Sequence, residues 1–212
     1  MHSLEKELGI ESSREFLKES LFFFSQRFSY RICLGLELEF CLRKKGAQSN
    51  SIEILKNSIL SIAANNAIKI LHFESEIGDD QFEIALIHSE DLIQLCDRYY
   101  QLKEIIKDSA KFHGYDASFV ANADTKLSNG LHFNISLLKD GQNILAKNAH
   151  EDESSYMYNA VAGILENAKA LCVFCLSNES DFRRLNEKFT LAKEKLRHEL
   201  NTPNAPTHIS LV

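Results

Sequence analysis

The chain has 212 residues, of which 44% are apolar and 25% charged, as expected for a globular protein with one sizeable core. Its net charge is −6 and it contains no block of basic residues, which argues against binding to a nucleic-acid backbone. The N-terminus has no apolar signal core and the longest apolar stretch, residues 160–176, is too polar to span a bilayer, so we expect a cytoplasmic protein that does not enter membranes.

The first part of the chain predicts a helix, a long strand and a second helix. Residues 12–28 place apolar side chains at helical spacing. Residues 30–43 alternate between apolar and other residues without a break, which predicts a strand with one face in the core. A helix is expected at about 51–65, with Asn50 as its N-cap.

A hairpin and a long helix are expected next. Strands near 67–76 and 81–88 flank a Gly-Asp-Asp sequence that suits a turn. Residues 90–113 carry helical spacing, with Ser89 as the predicted cap and a glycine directly after the last residue.

The rest of the chain predicts short strands followed by helices. The strands are expected at 116–121, 130–138 and 143–146, and the helices at about 154–177 and 186–201. The tail from Thr202 contains two prolines and is expected to be irregular. This mixed order of hairpins and long helices predicts an α+β fold with a largely antiparallel sheet and helices on one of its faces.

The five cysteines are predicted to be reduced side chains of the core. They are Cys33, Cys41, Cys96, Cys172 and Cys175, and each lies in an apolar stretch. The last two form a C-x-x-C pair, a spacing that can bind zinc, but the sequence offers no second pair of ligands beside it.

Acidic side chains are expected to gather on one face of the sheet. Glu37 and Glu39 share a strand face about 6.6–6.8 Å apart, and Glu76 faces Glu83 if the hairpin is symmetric about its turn. His132 lies on a third strand whose polar face can point the same way. Because like charges side by side on a half-buried sheet repel, a Mg²⁺ or Mn²⁺ ion is the predicted partner of this face.

A simpler interpretation of the same pattern stays open. Alternating glutamates on a strand usually form a face that water solvates. A single histidine on a strand is more often satisfied by hydrogen bonds than bound to a metal ion. The pattern alone therefore does not decide between a metal site and a solvated surface.

Six segments between residues 30 and 190 carry short motifs in a fixed order. They are Gly35–Phe40 (G-x-E-x-E-F), Glu76–Glu83 (E-x-x-x-G-Q-F-E), His113–Phe119 (H-G-x-x-A-T-F), Asn129–Leu137 (S-G-M-H-x-H-x-S-L), Ala162–Leu165 (A-G-I-L) and Arg184–Leu185 (the end of N-S-Y-K-R-L). Together they resemble the catalytic domain of glutamine synthetases, and the resemblance implies that family's fold.

The resemblance also implies metal ligands. Glu39, Glu76 and Glu83 would hold a first Mg²⁺ or Mn²⁺ ion, and Glu76 would also take part in catalysis. Glu37 and His132 would hold part of a second ion, which binds the phosphates of ATP. These assignments come from the matching motif positions.

Further roles follow from the same resemblance. Asn134 and Ser136 match positions that contact the nucleotide, and Arg184 matches an arginine that stabilises the transferred phosphoryl group. The implied reaction is phosphorylation of the γ-carboxylate of glutamate by ATP, followed by attack of ammonia or another amine. The implied protein partner is a second copy of the chain or a full-length relative.

The sequence also departs from the family pattern. Asp80 replaces a glycine of the second segment, and Asn134 replaces the second histidine of the fourth. The family continues beyond the segment that ends at Val212 and carries a small β-grasp domain before the strands. We therefore expect residues 1–212 to form a single catalytic-type domain without the β-grasp domain and without the C-terminal part of the family domain.

Three functions remain open from the sequence. The first is an ATP-dependent carboxylate–amine ligase of the glutamine synthetase kind. The second is a shortened relative that binds a metal or a partner without turnover. The third is an unrelated metal-dependent hydrolase that uses the same carboxylates. A ligase needs a further ligand for the second metal and a cluster of substrate-binding arginines, whereas a binding protein needs only the strand motifs.

Overall fold

The computed structural model describes residues 13–46, 50–76, 80–120, 129–146, 155–176, 181 and 209–211. Its helices are α1 (Ser13–Phe28), α2 (Ile52–Asn65), α3 (Leu92–Phe112), α4 (Ser155–Glu166) and α5 (Ala168–Cys175). Its strands are β1 (Arg31–Lys44), β2 (Ile70–Ser75), β3 (Gln81–Ser89), β4 (Tyr115–Ser118), β5 (Leu131–Lys139), β6 (Gln142–Asn143) and β7 (Ile209–Leu211).

The strands form one seven-stranded sheet around β1. Its order is β2-β3-β1-β5-β6, while β4 also pairs with β1 and β7 pairs with β5. Every pairing is antiparallel. Because β1 is 14 residues long, it pairs with β3, β4 and β5, and it therefore fixes the position of the other central strands.

The core lies between one face of this sheet and two helices, as the alternation predicted. On β1 the even-numbered apolar residues from Leu36 to Leu42 are buried, with at most 4% of each side chain exposed. The helices contribute buried apolar residues to the same cluster, which are Leu55, Ile59 and Ala63 of α2 and Leu95, Leu102 and Ile106 of α3. Each of the leucine and isoleucine side chains among them contributes roughly 1.5–3 kcal/mol to stability when it leaves water. The odd-numbered residues of β1 are left for the opposite face.

The caps of the two core helices differ from the prediction by one or two residues. Ser51, and not Asn50, caps α2 with its side chain, and Asp91 caps α3. The hydroxyl of Ser89, the predicted cap of α3, instead accepts a hydrogen bond from the backbone N–H of Asp91 at 3.1 Å. Where capping residues are close neighbours in sequence, the path of the chain into the helix selects one of them.

The hairpin of β2 and β3 also has another register than the symmetric one. Glu74, and not Glu76, lies opposite Glu83. The pairing continues one step further, because the backbone N–H of Glu76 donates to the carbonyl of Gln81 at 2.9 Å. The difference is two residues, so Glu76 and Glu83 still lie on the same face of the sheet.

The remaining predicted elements have mixed outcomes. The long helix expected at 154–177 is two helices that meet at Asn167, whose side chain donates to a carbonyl of its own chain four residues earlier. The tail is not irregular throughout, because Ile209–Leu211 pairs as β7 with β5. The helix predicted at 186–201 lies outside the described residues. None of the described helices combines the length and apolar character that crossing a bilayer requires.

The cysteines are free thiols, as predicted, but they are less buried than expected. Four of them are half-buried, and Cys175 at the end of α5 is exposed. The apolar neighbours of the cysteines suggested deeper burial. In α5, however, apolar side chains are exposed to solvent, as at Val173, which is 73% exposed.

Candidate functional site

The polar face of the central strands brings together four of the predicted site residues. In the pairing of β1 with β5, Glu37 lies opposite His132. In the pairing of β1 with β3, Glu39 lies opposite Glu83. Directly opposed residues of antiparallel strands point to the same side of the sheet. Three adjacent strands thus present three carboxylates and an imidazole on the face opposite the core.

Three of these side chains are close enough to share one ion. One ligand atom from each of Glu37, Glu83 and His132 can be chosen so that all lie within 4.8 Å of one another. The Nδ1 atom of His132 is 3.1 Å from an oxygen of Glu37 and 3.8 Å from an oxygen of Glu83. Two carboxylates and an imidazole suit Mn²⁺ well, and the carboxylates suit Mg²⁺. The residues present therefore fit the metal that the motifs implied.

Glu39 is the most firmly held carboxylate of the face. Its side chain is buried, and its Oε2 accepts hydrogen bonds from the backbone N–H of Gly130 at 2.8 Å and from Nε2 of Gln81 at 3.1 Å. Its other oxygen is 3.3 Å from Nε2 of His132. The imidazole of His132 thus lies between carboxylates on both of its nitrogen atoms.

The surroundings of Glu83 disfavour its ionised form. Burial raises the pKa of its carboxyl above the usual 4.5, and the nearby carboxylates of Glu37 and Glu76 raise it further. A hydrogen bond with His72, at 3.2 Å between Nε2 and Oε1, and the nearby His132 lower it. An ionised Glu83 is therefore costly on this face unless a cation compensates it.

Glu76 is not one of the three residues whose ligand atoms converge. Glu76 follows the last residue of β2, is half-buried and is near enough to Glu83 to raise its pKa. Arg184, the predicted catalytic arginine, lies outside the described residues. The predicted division into two metal sites is therefore not decided by this geometry, and it stays a prediction.

The two residues predicted to contact the nucleotide have different surroundings. Asn134 is buried, and its Nδ2 donates to the Oε1 of Glu37 at 2.6 Å. Ser136 accepts a hydrogen bond from Nδ2 of Asn143 at 3.2 Å, which ties it to the strand that follows. Asn134 therefore orients a carboxylate of the acidic face, whereas Ser136 lies two residues further along β5.

Several contacts of the site were missed in the sequence. His72 holds Glu83, Gln81 holds Glu39, and a backbone amide holds Glu39 as well. The alternation of His72 with the glutamates at 74 and 76 was an available signal for the first contact. Gln81 belongs to a motif already identified. The backbone amide carried no sequence signal, because every residue except proline has one.

A close approach of backbone and side chain explains one glycine of the first motif. A Cβ atom at Gly35 would lie 2.9 Å from two ring atoms of His88, which is closer than such atoms approach. The exposed ring of His88 therefore lies over β1 only because Gly35 has no side chain.

Comparison with known proteins gives matches to one family. The family model described as glutamine synthetase, catalytic domain, matches residues 45–194. The glutamine synthetase of Thermococcus kodakarensis is 32% identical over 118 residues, which are 55% of this chain and 26% of that protein. Type-1 glutamine synthetase 1 of Dictyostelium discoideum is 25% identical over 200 residues, covering 81% of this chain and 40% of that protein.

A third relative carries another substrate in its name. The gamma-glutamylputrescine synthetase of Escherichia coli is 27% identical over 112 residues, which are 52% of this chain and 24% of that protein. The chain thus spans about a quarter to two fifths of the length of these curated relatives, by the coverages of 26%, 40% and 24%.

Solved structures support the fold. The cryo-electron microscopy structure of Plasmodium falciparum glutamine synthetase has a TM-score of 0.70 at 23% identity, covering 82% of this chain and 43% of that one. The ligand-free structure of GmaS also has a TM-score of 0.70, at 21% identity, covering 82% of this chain and 46% of that one. The α+β fold predicted from the sequence is therefore confirmed.

Proposed function

The chain belongs to the glutamine synthetase catalytic-domain family, and on that premise we propose that its acidic strand face is the metal-binding part of an ATP-dependent ligase site. The proposed reaction joins ammonia or another amine to the γ-carboxylate of glutamate. The observation that carries this proposal is the convergence of Glu37, Glu83 and His132 within 4.8 Å. Glu39 and Glu76 extend the same face.

Mg²⁺ or Mn²⁺ would be held by Glu37, Glu83 and His132, with Glu39 and Glu76 as the neighbouring carboxylates. When bound, such an ion supplies positive charge against the phosphates of ATP. The protein's own contribution is to fix the carboxylates beforehand. Glu37, Glu39 and Glu83 each have at least one carboxylate oxygen in a hydrogen bond with a neighbouring side chain or backbone amide. Such preorganisation reduces the rearrangement needed on binding.

In the proposed reaction, the γ-carboxylate of glutamate attacks the terminal phosphorus of ATP and ADP leaves. The amine then attacks the carbonyl carbon of the acyl-phosphate, and phosphate leaves. Arg184 would stabilise the transferred phosphoryl group, and Asn134 and Ser136 would lie along the nucleotide. The protein partner would be a second copy of the chain or a full-length relative.

The proposal is tested first by metal binding. The chain is titrated with Mn²⁺ in a calorimeter, beside the double variant Glu37→Gln, Glu83→Gln and a control variant Glu19→Gln. Glu19 is exposed on α1, outside the sheet. We expect the double variant to lose binding and the control to keep it. Equal binding by all three proteins would contradict the proposed site.

Turnover is tested separately, by phosphate release from ATP with glutamate and with ammonia, hydroxylamine or putrescine as the amine. The putrescine arm follows from the name of the Escherichia coli relative. A ligase releases phosphate only when both glutamate and an amine are present. Metal binding without this dependence would instead support the alternative, a relative that binds metal without turnover.

A further inference from the structure

Asn129 is a buried residue two positions before the start of β5, with 5% of its surface exposed. Its Nδ2 donates to the carbonyl oxygens of Ser118 at 3.0 Å and Val120 at 3.1 Å. Its Oδ1 accepts a hydrogen bond from the thiol of Cys41 at 3.2 Å. Asn129 therefore joins the end of β4 and a residue of β1 to the start of β5.

The residue that follows Asn129 extends this connection to the acidic face. The backbone N–H of Gly130 donates to the Oε2 of Glu39 at 2.8 Å, and the carbonyl of Gly130 accepts from the N–H of Glu39 at 3.1 Å. The N–H of Gly130 belongs to the planar peptide unit that begins at the carbonyl of Asn129. The hydrogen bonds of the Asn129 side chain hold this residue in place. They therefore limit the rotation of the Gly130 amide, which donates to Glu39.

The chemistry of this position suits an asparagine. A carboxamide supplies two N–H donors and a carbonyl acceptor, which is the set that the two backbone carbonyls and the thiol use here. An aliphatic side chain of similar size would fill the space without making any of these bonds. Substitution of Asn129 by leucine therefore removes its hydrogen bonds and keeps most of its volume, so the role of the hydrogen bonds can be measured.

We infer that Asn129 is a positioning residue of the metal-binding face. It fixes the Gly130 amide, and this amide orients the carboxylate of Glu39 beside Glu83 and His132. The inference rests on the proposed function and adds to it a residue that touches neither metal nor substrate. Groups that orient metal-binding side chains in this way typically change metal affinity about 10- to 100-fold when they are removed.

The experiment titrates the full chain with Mn²⁺ alone and compares Asn129→Leu and Asn129→Ala with the wild type, at a temperature where circular dichroism shows each protein folded. We expect about 10- to 100-fold weaker binding in both variants. A matched control, Ile59→Val, shortens a fully buried side chain of α2 on the other side of the sheet. It should lower the melting temperature and leave Mn²⁺ affinity unchanged. Wild-type affinity in a folded Asn129 variant would overturn the inference.

A second measurement does not depend on metal. In the metal-free chain, the amide proton of Gly130 should exchange with solvent at least about tenfold more slowly in the wild type than in Asn129→Ala, because the variant loses the bonds that anchor it. Equal exchange rates would overturn the inference. If the wild type binds no Mn²⁺, the proposed function fails, while this exchange rate still tests the role of Asn129.

A further variant serves if neither Asn129 variant folds. Glu39→Gln replaces the carboxylate that accepts from Gly130, so the Gly130 amide proton should resonate upfield of its wild-type position. An unmoved resonance would show that the bond between Gly130 and Glu39 is not made in solution, and the inference would then be wrong.

Discussion

Replacing Glu83 by glutamine should stabilise the metal-free chain and remove its response to metal. Glu83 is held on a face with other carboxylates, and burial and those neighbours raise the pKa of its carboxyl. Glutamine keeps the size of the side chain and an acceptor oxygen for His72, but it removes the charge. The variant therefore isolates the electrostatic cost that the acidic face imposes on folding.

The size of the effect follows from the separation of the charges. Ligand atoms of Glu37 and Glu83 lie within 4.8 Å. Two unit charges at this separation repel by about 3.5 kcal/mol at an effective dielectric constant of about 20. The variant also loses the charge in its hydrogen bond with His72 and the attraction to His132, which together offset about 2 kcal/mol. The expected net stabilisation is about 1.5 kcal/mol, or roughly 3–6 °C in melting temperature for a chain of this size.

The assay is thermal unfolding followed by circular dichroism, first with a chelator and then with Mn²⁺ at about 100 times its Kd, where binding should add about 2.7 kcal/mol to the wild type. Glu83→Gln should melt higher than the wild type in chelator and respond little to Mn²⁺. Glu19→Gln, an exposed glutamate of α1, should change neither quantity. A lower melting temperature of Glu83→Gln in chelator, or an undiminished response to Mn²⁺, would refute the reasoning.

Three further predictions concern packing and charge. Phe40→Ala should lower the free energy of unfolding by about 3–5 kcal/mol in urea titration, because Phe40 is fully buried among aromatic rings, and a loss below about 1 kcal/mol would contradict this. Asp97→Asn should remove a pH-dependent contribution to folding stability. The hydrogen bond from Arg14 lowers the pKa of Asp97 below 3.8. The stabilisation is therefore present above that value and is lost as the pH falls through the folded-state pKa. The melting temperatures of Asp97→Asn and the wild type should therefore converge in acid, and a constant difference would argue against the pair. Gly35→Ala should cost less than about 1 kcal/mol, because the exposed His88 ring can turn away from the added methyl group, and adding His88→Ala should remove this cost, as a double-mutant cycle would measure.

The sequence predicted the strand faces well because the signal is local. On β1 a period of two runs through the whole strand, so the buried and polar faces follow from parity alone. That parity was enough to place Glu37 and Glu39 together. The same argument applied to β5 put His132 on a polar face, and the register of the two strands then brought it opposite Glu37.

Other features were beyond the reach of local pattern. The hairpin register depends on the turn that closes it, and the Glu76–Gln81 hydrogen bond belongs to a register two residues away from the expected one. β2 is also irregular between Ile70 and His72, which obscured the alternation that puts His72 beside Glu83. The backbone amide that holds Glu39 becomes visible only when the start of β5 is placed against β1.

The two faces of β1 explain why the acidic site can exist at all. Leu38, which is 4% exposed, lies in the core directly between Glu37 and Glu39 along the chain. The packing of Leu38 and its apolar neighbours therefore holds in place a backbone that also carries repelling charges. Because alternate residues of one strand serve the two faces, the carboxylates cannot move apart without pulling core side chains out of their contacts. Free energy from the core thus maintains a surface of closely spaced carboxylates, which is the arrangement that the proposed metal site requires.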